Sequence, residues 1–139
     1  MDLFEIYMFS HHRTKAPKFD GRLALDERAT LLDTFKKADP KDLPTMLLQL
    51  QAGGVGLTIT GTREFPVSHV VFLDAWFNPC VEDQARDRVW RQSQTRPVTC
   101  HTLDAFWSGD QKTLATGTID SAVRKLQTKK REISKIYVG

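Results

Sequence analysis

The chain has 139 residues, of which 40% are hydrophobic and 27% charged, and its formal net charge is +3. This composition is typical of one folded domain with a sizeable core and argues against a disordered chain. No apolar run is long enough to span a membrane and residues 1–13 lack the order of a signal peptide, so we expect a protein that stays inside the cell without a membrane partner. Cys80 and Cys100 are expected to be reduced, partly buried thiols, with a disulfide between them as the alternative.

The first forty residues predict a poorly defined N-terminal remnant and one helix. Residues 3–9 fit a strand, but residues 11–18 are polar, so residues 1–18 stand apart from the domain that follows. Apolar residues then recur at helical spacing and predict a helix with Asp26 as its N-cap and Pro40 beyond its end. Acidic residues at Asp26 and Glu27 suit the start of a helix, whereas an acidic box that holds Mg²⁺ would follow an apolar strand.

Three apolar segments predict strands. Residues 45–50 and 68–74 are each typical of a strand buried on both faces, and residues 97–103 predict a third strand. Helical segments alternate with these strands, which predicts an α/β fold with a mainly parallel sheet covered on both faces. In such sheets ligands bind beyond the carboxyl ends of the strands, where a glycine-rich turn follows residue 50 and a loop follows Asp74.

Two further helices are predicted in the second half of the chain. The first begins at Pro79, and Val81, Ala85 and Val89 form its buried face. Residues 104–117 fit a loop. The last helix carries its apolar residues along one side: Ile119, Val123, Leu126, Ile133 and Ile136.

Three glycines follow the first apolar strand directly. Gly53, Gly54 and Gly56 allow a sharp turn, and the backbone N–H groups of such a turn can hold an anion. The spacing matches neither the dinucleotide motif GxGxxG nor the phosphate loop GxxxxGK[ST]. A purely structural turn therefore remains open as the alternative.

The helix from Pro79 presents one polar and two cationic side chains together. At about 100° per residue, Gln84, Arg88 and Arg91 fall within an arc of roughly 60° beside the buried face. Two aligned guanidinium groups on a rigid helix suit a polyphosphate, because each binds phosphate oxygens bidentately and always carries charge. The alternative is a set of surface salt bridges to the neighbouring acidic residues of the helix. Those residues are Glu82, Asp83 and Asp87.

The last helix is strongly basic. Between Ala122 and Lys135 its cations face a single acidic residue, Glu132, and such a face can lie along nucleic-acid phosphates or be merely solvated. The cations are Arg124, Lys125, Lys129, Lys130, Arg131 and Lys135. No metal-spaced cysteine and histidine cluster is present, so no metal ligand is assigned. Trp76 and Phe77 are interpreted as packing residues, and the histidines as incidental.

The order of these motifs resembles the second RecA-like lobe of Swi/Snf-type DNA-dependent ATPases, in helicase superfamily 2. The resemblance covers about residues 18–136 and is carried by QAGGVGLTIT, VVFLDAWFNP, EDQARDRVWRQSQTRPV and GTIDSAVRKLQTKKREI. It implies a three-layer RecA-like lobe of the phosphate-loop NTPase type over residues 19–139, truncated at its N-terminus. The AGGVGL segment is similar to motif V of that family, and QARDRVWRQSQ to motif VI.

For the ATP site, the resemblance implies that Gln84, Arg88 and Arg91 face the phosphates. Arg91 is then the arginine finger and Arg88 its partner, because a finger stabilises charge that develops at the γ-phosphate. Gly54 and Gly56 are expected to contact ATP as well. ATP with Mg²⁺ is bound mainly by a first lobe, whose GxxxxGK[ST] motif and acidic box are absent from this chain.

For the DNA site, the resemblance implies contacts from Gly53 and Gly54, and the basic last helix adds Lys129 and Lys130. The expected partners are double-stranded DNA, the first RecA-like lobe in cis or in trans, and chromatin proteins, which implies a nuclear location. Two departures from the family are evident. Residues 61–67 resemble a short insertion, and the family's usual Arg-Ile-Gly-Gln is Arg-Gln-Ser-Gln at residues 91–94.

The expected function is therefore that of the C-terminal lobe of an ATP-dependent DNA translocase, in chromatin remodelling or DNA repair, inactive without its first lobe. The alternative is a non-catalytic module that keeps the fold and binds DNA or a protein partner.

Overall fold

The computed structural model describes residues 1–51, 57–105 and 118–138. Four helices and four short strands occur there in α/β order, and the part of the chain described falls into two compact units. Unit 1 comprises Met1–Ser68 and Asp87–Val98, and unit 2 comprises His69–Arg86 and the residues from Thr99 onward. The elements are α1 (Asp2–His12), β1 (Lys18–Phe19), α2 (Leu25–Lys37), β2 (Leu47–Leu48), β3 (His69–Phe72), α3 (Pro79–Val89), β4 (Thr99–Thr102) and α4 (Ile119–Val138).

The core of unit 1 surrounds a pair of parallel strands. β1 pairs with β2 in the register Lys18↔Leu47 and Phe19↔Leu48. Phe19 is among the most deeply buried side chains of the described structure, and Leu32 of α2 is also buried. The predicted helix is therefore confirmed.

The start of α2 differs from the prediction. Its N-cap is Ala24, and the Glu27 carboxylate accepts a hydrogen bond from the Ala24 backbone N–H at 2.9 Å. Asp26 lies in the first turn, where its charge complements the helix dipole but does not cap the helix. The predicted N-cap is therefore wrong by two residues, and Glu27 contributes the side-chain hydrogen bond at the start of the helix.

The prediction of a strand at residues 3–9 is wrong, because these residues lie within α1. Acidic Asp2 and Glu5 occupy its first turn and His11 and His12 its last, which suits the helix dipole. No residue of α1 is fully buried. The apolar residues of this short segment could not distinguish a strand from a helix by their pattern alone.

Unit 2 contains a second pair of parallel strands. β3 pairs with β4 from His69↔Thr99 to Phe72↔Thr102, so the predicted parallel pairing is confirmed. Burial on both faces is wrong for this segment, because Phe72 is the one fully buried residue of β3 and Val71 is 50% exposed. An apolar run shows that a strand prefers burial, but it does not show how many of its faces are covered.

Other expectations about burial also need correction. The thiols of Cys80 and Cys100 are both free and exposed, so they are not partly buried. For the last helix only the alignment of apolar residues was predicted, and the side that carries them is largely exposed at Ile119, Ile133 and Ile136. Within the described ranges, no helix is long and apolar enough to cross a membrane.

Candidate functional site

Helix α3 carries the motif that suggested a phosphate site. Proline at the first position is pre-organised for a helix, and the Asn78 side chain accepts a hydrogen bond from the Cys80 N–H at 3.2 Å. Ala85 and Val89 are buried, as predicted. The helix ends at Val89, so the expectation that Arg91 lies on it is wrong.

Arg88 lies within α3, and its environment favours an anionic ligand. Its Nη1 atom is buried and has no hydrogen-bond partner among the described residues. Burial lowers the pKa of the Arg88 guanidinium, because desolvation disfavours the charged form. A buried guanidinium donor without an acceptor is costly, and a phosphate oxygen would relieve that cost.

Arg91 differs from Arg88 in both burial and contacts. Its side chain is exposed, and its Nε–H donates to the backbone carbonyl of Asp87 at 3.0 Å. Arg91 thus contacts the backbone of Asp87 and not its carboxylate, which the alternative salt-bridge explanation included. Gln84, the third member of the predicted arc, is exposed within α3.

Other cations make the salt bridges that were the alternative explanation for Arg88 and Arg91. Glu82 and Asp83 pair with arginines from α3 and α4, namely Arg86, Arg124 and Arg131. In the described part of the chain, neither Arg88 nor Arg91 takes part in a side-chain ion pair with these acids. The salt-bridge explanation therefore does not account for Arg88.

The segment after α3 is anchored by contacts that the sequence did not reveal. The Ile59 N–H donates to the Arg88 carbonyl at 2.7 Å. The hydroxyl of Ser93 bonds that of Thr60 at 3.2 Å, and the Gln94 amide donates to the Val67 carbonyl at 2.6 Å. These contacts explain why the helix stops at Val89 although no glycine or proline follows directly.

A buried carboxylate organises unit 2. Glu82 is 1% exposed and accepts hydrogen bonds from the Trp76 backbone N–H at 2.9 Å, Arg124 Nη1 at 3.2 Å and Gln127 Nε2 at 2.9 Å. Gln127 also donates to the Trp76 carbonyl at 2.6 Å. These bonds tie the start of α3 and the loop after β3 to α4. The signal was available, since Glu82 lies only about 20° from Val89 around the helix axis.

The basic residues of α4 divide into two groups. Arg124 and Arg131 bond acidic residues within unit 2, and the Lys130 Nζ atom lies 3.3 Å from the centre of the Phe77 ring. Lys129 is exposed and makes no salt bridge or side-chain hydrogen bond among the described residues. The predicted pair Lys129 and Lys130 therefore consists of one solvent-facing cation and one held against an aromatic ring.

The remaining predictions for the site have mixed outcomes. Gly53, Gly54 and Gly56 lie outside the described residues. Phe77 is 60% exposed, so its interpretation as a packing residue is wrong. His69 and His101 are not isolated, because their ring nitrogens lie 3.2 Å apart across β3 and β4. No group of three or more potential metal ligands occurs in the described ranges.

Sequence comparisons connect this arrangement to known proteins. Residues 1–93 match the family described as "Helicase conserved C-terminal domain". DNA repair protein RAD5 of Saccharomyces cerevisiae is 36% identical over 127 residues, which cover 91% of this chain and 10% of that protein. The chromatin-remodeling ATPase INO80 of Aspergillus clavatus is 30% identical over 139 residues, which cover 100% of this chain and 7% of that protein. This chain thus spans a tenth or less of the length of these relatives.

Solved structures share the fold. The C-terminal part of the Fun30 ATPase domain has a TM-score of 0.71 at 28% identity, over 91% of this chain and 35% of that one. The Sulfolobus solfataricus SWI2/SNF2 ATPase core has a TM-score of 0.64 at 26% identity, over 99% and 24% respectively. The same core in complex with double-stranded DNA has a TM-score of 0.60 at 25% identity, over 95% and 24%. The chain belongs to the helicase conserved C-terminal domain family, as a RecA-like C-terminal lobe of the Swi/Snf type.

Proposed function

We propose that this lobe supplies Arg88 and Arg91 to the phosphates of ATP in a DNA-dependent ATPase, and that it acts together with a first RecA-like lobe. The observation that carries the proposal is the buried Nη1 atom of Arg88, which has no acceptor among the described residues. An anion that arrives from outside this chain would complete its hydrogen bonding. Gln84 lies one helical turn before Arg88 and extends the same face.

The two arginines perform different tasks in this proposal. Arg88 lies in a partly desolvated position, where a fixed positive charge interacts strongly with a phosphate oxygen. Arg91 is exposed and acts as the arginine finger, which stabilises the charge that develops at the γ-phosphate. When bound, ATP would supply the phosphate bond that is hydrolysed, and Mg²⁺ would supply positive charge that offsets the negative charge of the phosphates. A first lobe, in cis or in trans, would hold both mainly through its own phosphate loop and acidic box, while Gly54 and Gly56 approach the nucleotide from this lobe.

DNA is the proposed second ligand. The solvent-facing side of α4, with Lys125, Lys129 and Lys135 exposed, fits electrostatic contact with phosphates. Gly53 and Gly54 remain proposed DNA contacts of the glycine turn. Double-stranded DNA is named in the complex of the similar Sulfolobus core, and chromatin and repair are named in the relatives. We therefore propose that the protein moves along double-stranded DNA in the nucleus, with chromatin proteins as further partners.

Phosphate release in the presence of double-stranded DNA tests the catalytic part of the proposal. The chain alone should show no appreciable turnover, and addition of a first lobe from a similar Swi/Snf-type ATPase should generate it. Arg91→Ala should then reduce turnover about 1,000-fold or more, as expected for an arginine finger. Arg96→Ala is the matched control, because Arg96 is exposed in the same segment. Robust turnover by the chain alone that Arg91→Ala abolishes would refute the need for a second lobe.

The exposed lysines of α4 also support a second candidate, a non-catalytic DNA-binding module. Such a module would bind DNA with a steep salt dependence that survives Arg88→Ala and Arg91→Ala. Charge reversal at Lys129 should weaken binding more than reversal at Lys130, because Lys130 is held against Phe77. Equal effects, or no measurable binding, would count against this candidate.

A further inference from the structure

The side chain of Gln94 uses its hydrogen-bonding capacity fully. Its Nε2 group donates to the carbonyls of Val67 at 2.6 Å and Val89 at 3.3 Å. Its Oε1 atom accepts from the backbone N–H groups of Thr95 at 2.9 Å and Arg96 at 3.2 Å. A primary amide offers two donors and one oxygen with two lone pairs, so both sides of this group are occupied. Gln94 therefore closes the end of α3 and ties it to the segment that contains Val67.

The partner of Gln94 is a short hairpin formed by residues 60–67. The Val67 N–H donates to the Thr60 carbonyl at 3.0 Å, and the Thr62 N–H donates to the Phe65 carbonyl at 3.2 Å. Gly61 has a φ of 73°, and a Cβ there would clash with the Phe65 carbonyl oxygen. The backbone path of this hairpin is thus fixed by its own hydrogen bonds and by Gly61, so the hairpin can hold the segment after α3 in place.

Two more contacts attach the same hairpin region to the segment that carries Arg91. On the N-terminal side of Arg91, the Ile59 N–H donates a hydrogen bond to the Arg88 carbonyl at 2.7 Å. On its C-terminal side, the Ser93 hydroxyl bonds the Thr60 hydroxyl at 3.2 Å. Ser93 stands where the family pattern has glycine, which has no side chain and cannot make this bond. Arg91 therefore lies in a segment that is fixed on both sides.

This anchoring is important because Arg91 lies outside α3. Helical backbone cannot set its position, and among the described residues its exposed side chain makes one hydrogen bond, to the Asp87 carbonyl. The position of the guanidinium thus depends on where the backbone of residues 90–94 is held. An arginine finger is effective only when it is placed in advance of the reaction.

We propose that Gln94 is the positioning residue for Arg91: its amide fixes the segment after α3 against the 60–67 hairpin and thereby sets where Arg91 meets a phosphate. The catalytic meaning of this placement rests on the proposed function, whereas the anchoring itself does not. The hairpin, which resembles an insertion in the family, then serves as the support for the arginine pair.

Hydrogen exchange of backbone amides tests the anchoring in the chain as it exists. Gln94→Glu keeps the shape but places a carboxylate against the Val67 carbonyl, and Gln92→Glu adds the same charge at an exposed position two residues earlier. In Gln94→Glu we expect exchange at least about tenfold faster at the Ile59 and Val67 amides. The Leu47 amide, which pairs with the Pro17 carbonyl in the same unit, should keep its protection.

The outcomes of the exchange experiment are distinct. Faster exchange at Ile59 and Val67 in Gln94→Glu but not in Gln92→Glu supports the proposal. Equal protection in the two variants overturns it. If the Leu47 amide also loses protection in Gln94→Glu, the neutral variant Gln94→Leu replaces it. Exchange at the Ile59 and Val67 amides of Gln94→Leu is then compared with that of Gln92→Glu, and the same two outcomes support or overturn the proposal.

Titration with tripolyphosphate tests whether Gln94 acts through Arg91. Gln94→Glu should weaken binding about tenfold relative to Gln92→Glu, which controls for the added negative charge. In an Arg91→Ala background the same substitution should have little further effect, since two residues that act as one unit are not additive. If Gln94→Glu weakens tripolyphosphate binding just as much in the Arg91→Ala background, Gln94 does not act through Arg91. If the parent chain binds no tripolyphosphate, the proposed phosphate site fails, while the exchange experiment still decides the anchoring.

Discussion

Replacement of Glu82 by glutamine tests the buried network of unit 2. The substitution would keep the size of the side chain but remove the charge that faces Arg124. The new amide N–H₂ would also point at the donors of Arg124 and Gln127, so at least one of these bonds would be lost. The change therefore removes one of the two carboxylates that pair with the largely buried Arg124 guanidinium.

The expected cost follows from the burial of the pair. Removal of one partner from a fully buried ion pair costs about 3–5 kcal/mol. The Arg124 side chain is 24% exposed and keeps Asp104 at 3.0 Å, so the expected loss is smaller, about 2–3 kcal/mol. Even this is a large share of a typical folding free energy of about 5–15 kcal/mol.

Urea unfolding followed by circular dichroism measures the loss. Glu82→Gln should lower the midpoint concentration without changing the slope, since the exposed area on unfolding stays the same. Glu132→Gln is the control, because Glu132 is the exposed acid of α4 and should change stability by less than about 0.5 kcal/mol. If Glu82→Gln is as stable as this control, the network does not hold unit 2 together.

Two further predictions concern the hairpin and acid stability. Gly61→Ala should destabilise unit 1 by at least about 1–2 kcal/mol in the same unfolding assay, because φ is 73° and the new Cβ clashes with the backbone. Gly21→Ala is the control and should be tolerated, since no atom lies within 4 Å of the added Cβ. Equal effects would refute this account of the hairpin. Hydrogen bonds from Arg131 hold the pKa of Asp83 below its usual value, so this pair stabilises the fold above about pH 4 and its contribution is lost as pH falls further. The Asp83 side chain is 40% exposed, so Asp83→Asn should cost only about 0.5 kcal/mol at pH 7, and this cost should shrink as the pH falls below about 4; a cost that stays constant would contradict the assignment.

Much of the fold was predictable because the apolar periodicity is strong in its central elements. α2, α3, β3 and β4 lie within one to three residues of the predicted positions, and the alternation of strands and helices predicted parallel pairing. α1 was not predicted because its apolar residues fit a strand as well as a helix. The burial of β3 was overestimated because composition does not show which face is covered.

The candidate site was predictable in its residue types but not in its anchoring. The spacing within α3 identified Arg88, whose unpaired nitrogen is visible only in the structure. The end of α3 depends on Thr60, Val67 and Gln94, which are far apart in sequence, so no local helix signal could place Arg91 outside the helix. The alternative of surface salt bridges places Glu82 at the surface, whereas Glu82 lies on the buried face of α3 and is 1% exposed.

The central claim is that Arg88 and Arg91 together form the phosphate-contacting part of this lobe. Nuclear magnetic resonance of the arginine Nε–H groups during titration with tripolyphosphate tests it most directly. The account predicts saturable shifts at Arg88 and Arg91, with little change at the exposed Arg96 in the same segment. Parallel, non-saturating shifts of all arginine signals would contradict it. Saturable binding of tripolyphosphate that survives the double substitution Arg88→Ala and Arg91→Ala would contradict it as well.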